Sequence, residues 1–232
     1  MTYTAEVVEK RALTSAVRHV GLKLVDDLSF SFRPGQFIQF VLDERTLRQF
    51  SIASISRRLP CIELCVDISP MGRGSRFIEG LKLGDRVAFR GPFGTFIVPE
   101  GEARPMEFVA TGAGIAPIRA MILDIFERAN AAPPLVTLTL GNRTPSGLLY
   151  HDAWQELAVQ RPTFRYHPTL SQPPADWQSL RGRVTDVLPA RKADFGGRVF
   201  FICGSPEMVD DTRKTLHTLG VPEADVHFEK FY

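Results

Sequence analysis

Cysteine is scarce in this chain: three residues in 232, Cys61, Cys65 and Cys203. So odd and sparse a set cannot form a disulfide framework, and it falls short of the four thiolates that an iron-sulfur cluster needs. No apolar run is long enough to span a bilayer, and the N-terminus lacks the basic-then-apolar pattern of a signal peptide. The expected compartment is therefore the cytoplasm, with no membrane partner. An excess of one charge is also missing. The 28 basic side chains face 26 acidic ones for a net charge of +2, so nucleic acid is not an expected partner and any acidic partner must be met by a local patch.

What is present is a well-buried globular composition, with 44% hydrophobic and 23% charged residues. The length suits two domains of roughly 100 to 130 residues each. In the first part, β-prone runs at 4–8, 17–24, 35–42, 50–54, 62–68 and 86–90 are separated by turn residues, which predicts a small antiparallel barrel. One helix-like stretch interrupts it, starting near Ser75 and ending before Gly84. A polar stretch bracketed by Pro99 and Pro105 marks the boundary, so residues 1–100 and 101–232 are read as two domains. Beyond it the pattern changes. Strands are expected at 106–111, 135–140, 164–170, 199–203 and 226–231, alternating with helices at 115–129, 150–159 and 206–219. That alternation predicts a doubly wound parallel α/β sheet with right-handed crossovers.

Four segments carry possible chemistry. Thr111-Gly112-Ala-Gly114-Ile115-Ala-Pro117 lies between an expected strand and helix, where glycines admit a ligand to the backbone and a helix start offers free N–H groups to phosphate. It lacks the third glycine of G-x-G-x-x-G. Cys203-Gly204-Ser205-Pro-Glu-Met208 repeats the arrangement after a later strand, with proline opening the helix. Arg48-Gln49-Phe50-Ser51 sets a guanidinium and a hydroxyl around an aromatic ring, and Gly72-Arg-Gly74-Ser75 precedes the helix of the first domain. Each suits an anion, and each alone is equally compatible with a surface arginine or an ordinary helix cap. Cys61 and Cys65 fall on one face of an alternating run and read as small buried hydrophobes, so no metal is expected. The aromatic end, Phe231-Tyr232, needs a surface to pack on: the core, a partner or a flat cofactor.

Together with Gly91-Pro-Phe-Gly94-Thr-Phe96 and Glu229-Lys-Phe231, these motifs come in the order seen in one family. The chain resembles a ferredoxin-NADP reductase-type flavoprotein over almost its whole length. The resemblance implies a flavin-binding β-barrel domain followed by an NAD(P)-binding α/β domain, with hydride passing from NADH or NADPH to a bound flavin. It also implies roles for particular residues. Arg48 would contact the flavin phosphates, Phe50 would take the place of the family's usual tyrosine beside the isoalloxazine, and Ser51 would lie near the reactive edge. Gln49, Cys65 and Val66 would be further flavin contacts, and Gly72, Gly74 and Ser75 the second phosphate segment. Thr111, Gly112, Gly114, Ile115 and Pro117 would form the nucleotide pyrophosphate loop, with Arg143, Gly204, Ser205 and Met208 as further nucleotide contacts. Cys203 and Glu229, together with Ser51, would flank the reacting rings as catalytic residues, and Phe231 or Tyr232 would shield the flavin.

FAD is expected rather than FMN, because a phosphate segment on a separate loop follows the Arg48 motif. The acceptor implied by resemblance is a ferredoxin, a flavodoxin or an oxygenase component. Alternatives are an NAD(P)H:flavin reductase and a non-catalytic electron-transfer subunit of a larger complex. NADH is expected to be favoured, since Thr169-Leu-Ser171-Gln172-Pro-Pro174 carries neutral Gln172 where NADPH-using relatives have a cation. Arg143, Arg181 and Arg183 are the cations that could oppose this preference.

Overall fold

The computed structural model describes residues 1–25, 29–128, 133–191 and 195–231. The chain forms two compact units, Met1–Pro99 with Ala116–Glu127, and Glu100–Ile115 with Arg128–Tyr232.

In the first unit, strands β1 (Thr2–Ala12), β2 (Val17–Leu24), β3 (Phe37–Asp43), β4 (Thr46–Ser51) and β5 (Cys61–Asp67) are followed by helix α1 (Arg73–Gly80) and strand β6 (Arg86–Phe93). They pair antiparallel in the order β4-β3-β6-β1-β2-β5. An isolated antiparallel bridge between Ile52 and Leu64 joins the two edges, so the sheet closes on itself. Alternation sends Tyr3, Ala5 and Val7 of β1 and Ile62, Leu64 and Val66 of β5 into one core with Phe30, Phe40 and Phe89. Phe30 meets Phe89 edge-on at 5.3 Å and Tyr3 at 5.0 Å, the arrangement that aromatic quadrupoles favour.

The second unit contains β7 (Met106–Thr111), the start of α2 (Ile115–Arg128), β8 (Val136–Asn142), α3 (His151–Gln160), β9 (Phe164–Leu170), β10 (Leu180–Arg181), α4 (Val184–Ala190), β11 (Val199–Gly204), α5 (Pro206–Thr218) and β12 (Val226–Lys230). The six strands are parallel throughout, in the order β10-β9-β8-β7-β11-β12. Central strands such as β7 and β11 are buried almost end to end and, apart from Glu107 and Thr111 of β7, largely apolar, as a sheet covered on both faces requires. Residues of α4 and α5, among them Val184, Leu188, Val209 and Leu216, pack on Val109, Phe200 and Ile202.

Both predicted architectures are found, and the differences are local. The strand expected at 4–8 runs to Ala12, because a bulge between Val7 and Glu9 lets a charged, exposed ribbon keep pairing with β2. The strand expected at 50–54 is Thr46–Ser51: a tight turn, closed by the Asp43 carboxylate on the Arg45 N–H at 3.0 Å, starts it earlier. The helix expected near Ser75 starts at Arg73. Strand β10 and helix α4 were not expected at all. The expected end of α2, Ala129, lies outside the described residues.

One buried polar group braces the second sheet near its amino ends. Glu107, without exposure, accepts from Arg191 at 2.9 and 3.2 Å and from Arg198 at 2.9 Å, and Arg191 also reaches the Thr139 hydroxyl at 3.2 Å. Removing the carboxylate strands two largely buried guanidinium groups. Glu107→Ala should therefore cost about 3 to 5 kcal/mol of unfolding free energy, and Glu107→Gln less. Denaturant titration checks this, and wild-type midpoints in both variants would refute it.

Candidate cofactor sites

In the first unit, the segment 48–51 and the start of α1 are held together. Arg48 and Gln49 are exposed, Phe50 is half-buried against Phe40 at 5.5 Å, and Ser51 is buried. The Arg48 guanidinium donates to its neighbour's carbonyl, Leu47 O, at 2.8 Å. A Cβ on Gly74 would lie 3.2 Å from Arg48 Cγ and 3.3 Å from Phe50 Cζ, so glycine lets the helix start approach both side chains. Gly72 caps α1 without any side-chain bond, and a Cβ there would meet nothing within 4 Å. On β5, Cys65 is buried on the face opposite the core residues, while Val66 gives its side chain to the core.

In the second unit, Gly112 has φ +53, with open space where a Cβ would be. Gly114 is the opposite case: its Cβ would strike Cys203 O at 2.3 Å, so only glycine lets this turn seat on the end of β11. Ile115 and Pro117 are buried, and Thr111 and Gly112 are partly exposed. Gly204 lies tight between Thr111 and Met208, where a Cβ would come within 2.5 and 2.3 Å of their side chains. Ser205 caps α5 by accepting from the Met208 N–H at 3.3 Å.

The parallel register brings Cys203 and Glu229 side by side on β11 and β12. The pairing continues past the strand, with the Phe231 N–H donating to Gly204 O at 2.8 Å, and Lys230 anchors the segment on Asp210 at 2.8 Å. Phe231 is half-buried, and Tyr232 lies outside the described residues. Two loops that sequence spacing separates also meet. The N–H of Ser171 donates to Asn142 O at 3.0 Å and that of Gln172 to Arg143 O at 2.9 Å, which sets exposed Arg143 beside exposed Gln172. Arg181 is committed elsewhere, to the carbonyls of Pro174, Ala175 and Trp177.

Helix starts distinguish the candidate anion sites from the rest. In α3, α4 and α5 the first turn carries an acidic residue, Asp152, Asp186 and Glu207. In α1 and α2 it carries none, and neither Gly72 nor Thr111, before the turn leading into α2, makes a side-chain cap. With no side-chain cap and no acid at either start, the positive dipole ends are left to an anion, so the residues present fit two phosphate-bearing cofactors. Around Cys203 and Glu229 the fit is of another kind. Glu229 Oε2 is buried with no hydrogen-bond partner, a polar atom awaiting a donor. Among the described residues no cluster of His, Cys, Asp and Glu could hold a metal, and no helix is long and apolar enough to cross a membrane.

Sequence reasoning missed Arg73, whose guanidinium donates to Thr46 Oγ1 at 2.6 Å and pairs with Asp43. It also missed Lys10, whose ammonium donates to the carbonyls of Glu79 at 2.5 Å and Leu81 at 2.9 Å at the end of α1. A lone cation between two glycines was the available signal for Arg73.

Comparison with known proteins agrees with this geometry. The oxidoreductase FAD-binding domain family matches residues 4–97, and the oxidoreductase NAD-binding domain family matches residues 108–214. The chain is 33% identical to ferredoxin-NADP reductase B of Sorangium cellulosum, over 99% of this chain and 97% of that protein. It is 35% identical to the reductase component of a phenol 2-monooxygenase from Pseudomonas sp., over 91% of this chain. It spans only 61% of that relative's length. Among solved structures, an Amycolatopsis cytochrome P450 reductase superposes with a TM-score of 0.89 at 29% identity, covering 100% of this chain and 70% of that one. With both domain models in order and a relative matched end to end, the chain belongs to the ferredoxin-NADP reductase-type flavoprotein family.

Burial pushes the Glu229 carboxyl up to about 7. Because the folded chain favours the protonated form, its contribution to stability is full below the ordinary value of 4.5 and is lost as pH rises through 7. Glu229→Gln stays neutral, so wild type should lose about 3 kcal/mol relative to this variant between pH 4 and 8. Denaturant unfolding at both ends of the range checks it, and a pH-independent difference would refute it.

Proposed function

We propose that this chain is an NAD(P)H-dependent flavoprotein reductase, which takes hydride from NAD(P)H onto bound FAD and passes electrons to a ferredoxin, flavodoxin or oxygenase component. The observation that carries the proposal is the pair of glycine-flanked helix starts, of α1 and at the turn into α2, uncapped and free of acidic residues. Ferredoxin-NADP reductase B and the reductase components of oxygenases among the relatives support the choice of acceptor. The free thiols Cys61, Cys65 and Cys203 suit a reducing compartment such as the cytoplasm.

FAD, when bound, supplies the hydride-accepting and electron-releasing chemistry. Arg48 pairs with its phosphates, and the first N–H groups of α1, reached past Gly72 and Gly74, add donors without a competing cap. The Phe50 ring offers a flat apolar face for the isoalloxazine, and the Ser51 hydroxyl a polar atom at its edge. Thr111, Gly112, Gly114 and Ile115 present the second helix start to the pyrophosphate of the nucleotide. Cys203 and Glu229 line the nicotinamide pocket, where a partly protonated Glu229 can accept or donate a hydrogen bond to the carboxamide. Phe231, tethered to Gly204 just past β12, offers a further aromatic face for a flat ring.

The purified protein should be yellow. Arg48→Ala should lose about 1.5 to 3 kcal/mol of FAD affinity, the value of a charge-assisted hydrogen bond. The test is oxidation of NADH and NADPH with ferricyanide, with and without added FAD. A colourless protein without activity, or full FAD occupancy in Arg48→Ala, would sink the proposal.

For the nucleotide, NADH is the preferred donor, with neutral Gln172 facing the adenosine ribose. Gln172→Arg puts a second guanidinium beside Arg143 and should raise kcat/KM for NADPH relative to NADH about tenfold. Steady-state kinetics with both nucleotides decides, and a wild-type preference for NADPH would overturn this reading.

A further inference from the structure

Arg73 is the first residue of α1, a position where a cation opposes the helix dipole. Its guanidinium does not extend freely into solvent. One nitrogen donates to Thr46 Oγ1 at 2.6 Å and the other pairs with the Asp43 carboxylate. Thr46 is buried, and Asp43 and Thr46 face each other across the β3–β4 turn as register partners. Asp43 is itself fixed, because its other carboxylate oxygen accepts from the Arg45 N–H at 3.0 Å. Arg73 therefore ties the start of α1 to the root of the strand that, two residues on, carries Arg48. The opposite end of the helix is tied as well, by Lys10 on two carbonyls and by Arg18 on the Glu79 carboxylate at 2.9 and 3.0 Å. Between these ties, Gly74 brings the helix backbone against Arg48 and Phe50.

Resting on the flavin-binding reading, we infer that Arg73 is a positioning residue for FAD: by gripping Asp43 and Thr46 it holds the first turn of α1 beside Arg48, so that one pyrophosphate meets both donors at once. Eight residues make a helix too short to hold its own place. Without the clamp, the N–H groups of α1 and the Arg48 guanidinium would move independently, and each phosphate contact would have to order them on binding. Asp43 supplies the countercharge that keeps the Arg73 side chain turned to the strand instead of toward the phosphates.

The test uses the deflavinated full-length chain and three probes: FAD, FMN and riboflavin, which has no phosphate. Arg73→Ala and Asp43→Asn should each weaken FAD about fivefold, the upper range for a partly exposed ion pair. Riboflavin affinity should stay at the wild-type value in both. The double variant should bind FAD no worse than either single variant, since the two remove the same contact. FMN, with one phosphate, should lose less than FAD. Tighter FAD binding in Asp43→Asn would overturn the inference, because it would make Arg73 a direct phosphate ligand restrained by Asp43. Equal losses for FAD and riboflavin would overturn it too, as the mark of a general loosening of the barrel. Unchanged FAD binding in Arg73→Ala would show that the clamp positions nothing. If the wild-type chain itself binds no FAD, the flavin reading falls and this inference with it.

Discussion

The first unit depends on a seam. Strands β4 and β5 are the two edges of its sheet, and without closure the residues after Ser51 and those around Cys65 would be loose rims. The Ile52–Leu64 bridge, the Ala53 N–H on Glu63 O at 2.7 Å and the Glu63 N–H on Ser54 Oγ at 3.0 Å close it. Arg119 then fastens it, donating to Ala53 O at 2.6 Å and to the Glu63 carboxylate at 2.7 Å. Burial works against a charged Glu63, yet the charge and hydrogen bond of Arg119, with Arg58 beside it, outweigh burial and hold its pKa below the ordinary carboxylate range. The seam therefore carries an ionised carboxylate at neutral pH. Its closure is what fixes the strand bearing Arg48, Phe50 and Ser51.

The two helix starts read as phosphate sites gain their rigidity by different means. Helix α2 has fourteen residues and buries Ile118, Ala120, Met121, Ile122 and Phe126, so packing holds it together with the Arg119 bonds to the seam. Helix α1 has eight, with Gly74, Ser75 and Ile78 its buried residues, and depends on side chains at both ends. Neither start carries a side-chain cap or a first-turn acid, and at α2 the Ile115 N–H turns back to Gly112 O within the tight turn that precedes the helix. A bound phosphate would supply at these starts what the Ser205 cap supplies at α5.

Much of this was legible in the sequence because the relevant signals are local. Alternation across 17–24 and 62–68 and the apolar runs at 106–111 and 199–203 depend on neighbours two residues apart, and those elements lie where periodicity puts them. Glycine pairs at strand ends announced the turns for a similar reason, since the backbone needs there are fixed within four residues. What was not legible depends on partners far along the chain. Helix α4 has only seven residues, and its Pro189 reads as a breaker; it is set by the Asp186 carboxylate on the Arg183 N–H at 2.8 Å and by burial of Val184, Val187 and Leu188 under distant strands. Strand β10 is two residues joined to β9, with no pattern of its own. Arg73 stood out only as a lone cation between two glycines, and its role stayed hidden because its partners Asp43 and Thr46 lie some thirty residues earlier.

The pair Cys203 and Glu229 shows how burial limits the chemistry open to a site. Burial pushes the Cys203 thiol well above its ordinary value, and the neighbouring Glu229 adds to the rise against a smaller opposing contribution from the Gly204 N–H. A thiol so held is not a thiolate at neutral pH, which removes it as a nucleophile or a redox-active group in the sense of a low-pKa cysteine. It remains a compact, polarisable wall. Glu229, at about 7, is divided between its two forms in the same range. A carboxyl that can either donate or accept one hydrogen bond, beside a wall that cannot react, suits the orientation of a carboxamide better than proton transfer to a reacting carbon. Hydride transfer needs no proton from the protein, so a site with no activated nucleophile, whose carboxyl serves to hold a hydrogen bond, is consistent with a reaction in which the two cofactors do the chemistry and the chain supplies place and direction.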